Sequence, residues 1–253
     1  MTGITPSELM VVVAARELRD GESCLVGVGI PNLAANLAKR IHAPNLIMIY
    51  ESGTIGSNPS RMPLSIGDPC LVTGAKSVVT MYEQFAYYLQ GGRIDVGFLG
   101  GAQIDKYGNI NSTVIGPYAT PKVRLPGSGG ACEIASNVKK IIVITPHEKR
   151  RFVEKVDFLT SPGFLDGKER WKTLKLKGGG PYAVITNLGT LKFDGATGEM
   201  TLTAVHEGVT VEKVQENTSW KLRVAEPLEH TPPPTEEELR VLRSLDPDRI
   251  YLG

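Results

Sequence analysis

One carboxylate has the placement of a reacting group. Glu51 lies in the segment YESGTIG, directly after NLIMIY, an apolar run with the character of a buried strand. A carboxylate at a strand end can be a cap, a salt-bridge partner or a reactive group. Its neighbours Gly53 and Gly56 are small and leave room for a ligand. Three glycine-rich turns also follow expected strands: GVGIPN over residues 27–32, GGAQID over 100–105, and LPGSGGACEIAS over 125–136. In open α/β sheets, ligands gather at the carboxyl ends of strands. Exposed N–H groups at helix N-termini suit phosphates and developing oxyanions. The first turn is not GxGxxG, because its sixth residue is Asn32, so a nicotinamide site is a weak reading. A nucleotide-like or CoA-like ligand fits the set better.

These groups need a frame. TPSE at 5–8 starts a helix, with Thr5 as N-cap, Pro6 at the first position and Glu8 at the third. Leu9, Met10, Val12, Val13 and Leu18 give its apolar stripe, and Gly21 is the expected stop. CLVGVG reads as a strand entering a glycine turn, and PNLAANLAKRI as the next helix. NLIMIY is the next strand, and this order predicts an α/β layer with parallel strands. MYEQFAYYLQ reads as a helix closed by Gly91 and Gly92, its Tyr82, Phe85 and Tyr88 facing the core or another subunit. IDVGFLG and KKIIVIT read as buried strands. YAVITN, GTLKFD and EMTLTAV are short β-rich runs of antiparallel type. TPPPTEEELRVLRSLD predicts a stiff connection and a capped helix, with Thr235 and Glu238 as a second capping box. The expected fold is α/β, an open mainly parallel sheet flanked by helices with additional C-terminal strands. No linker divides the chain, so residues 1–253 are expected to form a single domain.

Composition narrows the function. A chain of 253 residues, 41% hydrophobic and 22% charged, can bury a substantial core. A net charge of +1 gives no electrostatic reason to expect nucleic acid or a membrane surface as partner. No apolar run approaches the ~20 residues a bilayer span needs, and MTGITPSELM lacks the pattern of a secretory signal. Cys24, Cys70 and Cys132 form no CxxC and read as reduced, buried thiols in the cytoplasm. His42, His147, His206 and His230 lack ligand spacing, so no metal is expected and each histidine reads as part of a core or surface network. Asp68, Asp95 and Asp105 read as solvated turn acids, and Asn109 and Asn111 as turn formers. The run HEKRR at 147–151 either neutralises ligand phosphates or forms a solvated basic turn. Arg61, in the polar loop SNPSRMPLSIGDP, is either a surface residue or the partner of a second substrate carboxylate.

Taken in order, GVGIPN, ESGTIG, GGAQIDKYGNIN, LPGSGGACEIAS, VDFLTSPGFLDG and TGEMTLTAVHEGVT followed by ENTSW resemble the beta subunits of family I CoA-transferases. The ESG and C-terminal patterns lean toward the glutaconate type, with 3-oxoacids as an alternative. The resemblance implies a catalytic glutamate at Glu51 and an obligate alpha subunit in a hetero-oligomer. It implies an acyl-CoA and a small (di)carboxylic acid as substrates, with CoA as substrate and no tightly bound cofactor. By the same resemblance Gly101 is an oxyanion donor, and Gly27, Val28, Gly29, Ile30 and Pro31 line the CoA channel. Gly100 and Ala102 would approach the pantetheine and thioester, and Gly127, Gly129 and Gly130 would shape the floor of the site. The implied reaction is ping-pong, through a glutamyl anhydride and a glutamyl-CoA thioester. The alternatives are a CoA-ester hydrolase, a ring-opening enzyme or a decarboxylase on the same scaffold, or a non-catalytic CoA-binding subunit.

Overall fold

The computed structural model describes residues 3–59 and 61–253; Met1 and Thr2 of the N-terminal stretch and Ser60 of the polar loop lie outside the described residues. The chain forms two compact units, residues 1–98 with 232–253 and residues 99–231. The first unit opens with α1 (Pro6–Arg16), β1 (Ser23–Leu25), α2 (Ile30–Ile41), β2 (Ile47–Ile49), β3 (Thr54–Ile55) and β4 (Ser77–Val78). Next, α3 (Met81–Glu83) runs into a π-helical stretch, Gln84–Leu89, and then β5 (Val96–Leu99). The second unit carries β6 (Gln103–Ile104), β7 (Ile110–Asn111), β8 (Val114–Ile115), β9 (Val123–Arg124), α4 (Ala131–Asn137) and β10 (Lys140–Ile144). It continues with α5 (Lys168–Thr173), β11 (Pro181–Ile185), β12 (Gly189–Phe193), β13 (Met200–Val205), α6 (Val211–Glu216) and β14 (Arg223–His230). The chain then returns to the first unit as α7 (Glu236–Leu245).

In the first unit β1 lies between β2 and β5, parallel to both, and β3 and β4 extend the β2 side antiparallel. Cys24, Leu25, Met48, Ile49 and Val96 of the parallel strands are all buried, as expected for strands covered on both faces. Both expected capping boxes form, Thr5 with Glu8 and Thr235 with Glu238. Helix α1 ends at Arg16, before the expected stop; Gly21 instead takes a left-handed turn before β1. Two ion pairs tie α7 to α1: Arg16 to Glu238 at 2.7 Å, and Arg243 to the fully buried Glu8 at 2.7 Å. Arg243 holds the Glu8 carboxyl below the usual carboxylate range.

In the second unit β10 and β11 are parallel, β11, β12 and β13 antiparallel, and β14 parallel to β13. The antiparallel strands match the β-rich runs read from the sequence. The architecture is α/β, with mixed sheet flanked by helices.

Three expectations need correction. Of the two readings of the aromatic stripe on the MYEQFAYYLQ helix, the core one fails: Tyr82 is 70% exposed, Phe85 and Tyr88 are half-buried, and the buried residues are Gln84 and Leu89; the reading as a face toward another subunit stands. The helix has switched to π geometry, which breaks the three-residue rhythm used to read it. Cys24 is buried, but Cys70 is half-buried and Cys132 exposed. Asp105 is not solvated; it is buried and accepts hydrogen bonds from the N–H groups of Tyr107 and Asn109 and from the Asn109 side chain. Burial pushes its carboxyl up to about 6.

Candidate active site

Glu51 occupies the tip of a tight hairpin between β2 and β3. The Tyr50 N–H donates to the Thr54 carbonyl at 3.0 Å, and the Gly53 N–H donates to the Tyr50 carbonyl at 2.9 Å. Glu51, Ser52 and Gly53 are therefore a three-residue turn whose last residue is left-handed, at φ 101°. Glycine is required there twice over: a Cβ on Gly53 would also sit 1.9 Å from the Val79 carbonyl oxygen. The hairpin is held from outside by the Val79 N–H, which donates to the Gly53 carbonyl at 2.9 Å. The Glu51 side chain is half-buried, and no hydrogen bond or ion pair to its carboxylate is found among the described residues. Burial raises its pKa above the ordinary 4.5. The cap and salt-bridge roles left open by the sequence therefore have no partner within the described residues.

The GVGIPN turn follows β1, the strand next to β2, and the Val26 N–H donates to the Ile49 carbonyl at 2.9 Å. Gly29 caps α2 at φ 90° and offers no side-chain cap. Gly27, Val28, Gly29, Ile30 and Pro31 are all half-buried, and no atom lies within 4 Å of where a Gly27 Cβ would be. The structure brings this turn and the Glu51 hairpin together. The fully buried Tyr50 donates its hydroxyl to Asn32 Oδ1 at 2.7 Å, and Asn36 Nδ2 donates to the same oxygen at 3.0 Å. Burial holds the Tyr50 phenol well above its usual range, so it remains a donor. Neither Tyr50 nor Asn32 has a role in the sequence reading. The available signals were a tyrosine closing an apolar strand and an asparagine in the first turn of a helix.

The remaining candidates lie in the second unit. Gly100, exposed, and Gly101 and Ala102, half-buried, directly follow β5. A Cβ on Gly101 would meet Ile110 Cγ2 at 2.3 Å, so only glycine fits. The peptide after Gly101 is fixed at both ends: Arg151 donates to the Gly101 carbonyl at 3.0 Å, and the Ala102 N–H donates to the Asn111 carbonyl at 2.9 Å. No hydrogen bond from the Gly101 N–H is found among the described residues. Arg151 belongs to the HEKRR run, where Glu148 also pairs with Arg150 and Arg151. Its bond to a carbonyl 50 residues earlier left no local signal. Gly127, Gly129 and Gly130 precede α4, and Cβ atoms on Gly127 and Gly129 would meet nothing within 4 Å. Ser112 grips the Gly127 peptide from both sides, accepting from its N–H with a carbonyl and donating to its carbonyl with a hydroxyl.

Other candidates resolve into structural parts. Arg61 forms a forked pair with Asp68 at 2.7 and 2.9 Å, which holds the Asp68 carboxyl below its usual range. Asn109 bridges Asp105 to the Gly163 and Leu165 backbone, and Asn111 bonds Gln103 and the Val114 carbonyl. His147 stacks on Phe152 at 3.7 Å and bonds Thr186 and Thr218, and burial brings it down to about 4. Among the described residues no group of three or more His, Cys, Asp or Glu could hold a metal ion, and no helix is long and apolar enough to cross a membrane. A cavity of about 900 Å³ opens in the second unit beside Asp105, Tyr107, Phe158 and Arg170. Of the three glycine-rich turns it touches only Asp105, the last residue of the second, and none of their glycines, and its lining mixes acids and bases without a common ligand chemistry.

The sequence profile of the family described as Coenzyme A transferase matches residues 8–217. The chain belongs to the coenzyme A transferase family. Among its relatives in that family, the B-type subunit of 3-oxoadipate CoA-transferase from Pseudomonas knackmussii is 50% identical over 246 residues, 97% of this chain and 95% of the relative. The B-type subunit of glutaconate CoA-transferase from Acidaminococcus fermentans is 38% identical over 259 residues, 99% of this chain and 96% of the relative. The solved structure of glutaconate coenzyme A-transferase from Acidaminococcus fermentans superposes with a TM-score of 0.93 at 36% identity, covering 100% of this chain and 98% of that one. Identity is higher to the 3-oxoadipate relative than to the glutaconate relative.

Proposed function

We propose that residues 1–253 act as one domain, the beta subunit of a heteromeric CoA-transferase, and that Glu51 is its reacting carboxylate. The partner is an alpha subunit, and the substrates are an acyl-CoA and a small carboxylic acid. CoA is a substrate here and not a resident cofactor. The observation that carries the reading is the Glu51 hairpin. It presents a half-buried carboxylate, with no partner among the described residues, on a glycine-locked tip beside the turn at 27–31. The family membership and the two B-type relatives support it. A cytoplasmic location goes with this reading, on cysteines too scattered for a disulfide framework.

The chemistry follows from what transfer requires. The thioester's free energy must be kept and water excluded. A Glu51 oxygen attacks the acyl-CoA carbonyl, the C–S bond breaks, and an acyl-glutamyl anhydride and CoA thiolate result. The thiolate attacks the glutamyl carbonyl of the anhydride, releasing the first acid and leaving CoA bound to Glu51 as a thioester. The second acid runs both steps in reverse. Each step passes through a tetrahedral oxyanion, for which the Gly101 N–H is the proposed donor in this chain. A carboxylate is a weak nucleophile, so positioning by the hairpin and binding of the remote CoA moiety lower the barrier. Lack of hydrogen-bond partners leaves the Glu51 lone pairs available for attack. The proposed acid class is a 3-oxo dicarboxylate such as 3-oxoadipate, in line with the 50% identical relative.

The test is steady-state kinetics of the chain co-expressed with its alpha-type partner. The reading predicts parallel double-reciprocal plots and exchange of labelled acid into its own CoA ester without a second acid. It also predicts loss of both activities in Glu51→Ala. Intersecting plots together with an active Glu51→Ala enzyme contradict it.

A further inference from the structure

The first unit has an anomaly that the proposed chemistry does not use. Five of its buried side-chain N and O atoms have no hydrogen-bond partner among the described residues: Ser52 Oγ, Thr54 Oγ1, Ser57 Oγ, and both Oε1 and Nε2 of Gln84. All five lie on the segment just after Glu51 or on Gln84. Gln84 is fully buried, and it is the first residue of the π-helical stretch. An unpaired buried amide is expensive, and leucine or methionine would fill similar space without that cost. π-Helical turns are rare and frequently mark functional sites.

The backbone places the two groups on adjoining elements. Thr54 pairs with Val78 across β3 and β4, and the Gly53 carbonyl accepts from the Val79 N–H. A Cβ on Gly53 would lie 3.4 Å from the carbonyl carbon of Thr80, the N-cap of α3. The Gln84 N–H donates to the Thr80 carbonyl at 3.0 Å, one helical turn further on. The helix start that backs the Glu51 hairpin thus carries Gln84 on its next turn, a rise of about 6 Å.

We propose that Gln84 is a positioning residue for Glu51. Its amide, with the Ser52 and Thr54 hydroxyls, supplies a reserve of buried donors and acceptors behind the hairpin. These pair as the hairpin adjusts from the free carboxylate to the bulkier, neutral glutamyl thioester. A chain that keeps unpaired polar groups in its interior gives up stability, and a functional site is where that trade is expected. The proposal rests on the reading of Glu51 as nucleophile.

The test is Gln84→Leu in the complete complex, with Gln84→Met as a second variant should leucine impair folding. Three readouts are needed: thermal melting, the single-turnover rate of CoA attachment to Glu51, and the split between kcat and KM. The expected result is equal or higher Tm, a fall of about tenfold or more in the attachment rate and kcat, and little change in KM. Gln84→Glu, which retains length and oxygen acceptors, should recover part of the rate. A folded Gln84→Leu or Gln84→Met complex that attaches CoA at the wild-type rate overturns the proposal. If the wild-type complex attaches no CoA to Glu51, the nucleophile reading fails instead, and the two outcomes are separable.

Discussion

Replacing Gly53 by alanine tests whether the hairpin positions Glu51. The new Cβ would lie 1.9 Å from the Val79 carbonyl oxygen, where real contacts do not come below 3.0 Å. The shortfall is 1.1 Å, and the opposing atom is backbone in the strand pairing that holds the hairpin, so it cannot rotate aside. Alanine at φ 101° adds left-handed strain of about 1–2 kcal/mol. Overpacking adds about 1–3 kcal/mol, so the subunit should lose roughly 2–5 kcal/mol. For a chain of this size that lowers Tm by roughly 4–20 °C. The hairpin must move by about 1 Å, and a misplacement of that size costs about a hundredfold in rate, or about 2.7 kcal/mol of transition-state stabilisation. The control is Gly208→Ala, at φ 73° with nothing within 4 Å of the new Cβ, which carries strain without the clash. The assay is kcat of CoA transfer below both melting transitions, with melting followed by circular dichroism. If Gly53→Ala keeps a kcat within about threefold of Gly208→Ala, a distance well short of the hundredfold expectation, the reasoning is wrong.

Three further outcomes are expected. Arg151→Met frees the Gly101 carbonyl and should lower kcat about tenfold with a smaller change in KM; unchanged kcat would remove Arg151 from the account. Tyr50→Phe should cost about 1 kcal/mol, seen as a fall of about 2–4 °C in Tm, because Asn32 Oδ1 keeps its bond from Asn36. Burial raises the folded pKa of Glu51 above 4.5, so the native state holds that proton more tightly than the unfolded chain does. The stability this gives is complete below the unfolded pKa and is lost as pH rises through the folded pKa. Glu51→Gln should therefore melt higher than wild type at pH 7, with the gap closing at pH values below the ordinary 4.5. Wild-type kcat should fall on acidification at a pH above the ordinary carboxylate range, and equal melting of the two proteins at every pH would contradict the buried, unpaired carboxylate.

Local chemistry was legible in the sequence and long-range chemistry was not. The capping boxes at Thr5 and Thr235 depend on residues three apart, and both form as read. The parallel strands announced themselves as apolar runs because both faces are covered. Strand β14 gave no such signal: most of its side chains are exposed, and it is placed by pairing with β13. Asp105 was misread because turn acids are usually solvated, whereas here Asn109 and the fold around it bury the carboxylate. Glu51 and the 27–31 turn were visible as strand-end features. The Tyr50–Asn32 bond that joins them spans 18 residues, and the Arg151–Gly101 bond spans 50. The unpaired Gln84 amide was beyond reach, because the sequence shows an ordinary glutamine on an ordinary helix.

The most direct test of the central claim is a mass measurement. The complex with its partner subunit is mixed with acyl-CoA alone, quenched and digested, and the peptide containing Glu51 is weighed. The account predicts that this peptide carries CoA, that hydroxylamine releases it, and that Glu51→Gln carries none. A wild-type complex that transfers CoA at full rate while the Glu51 peptide stays unmodified would contradict it.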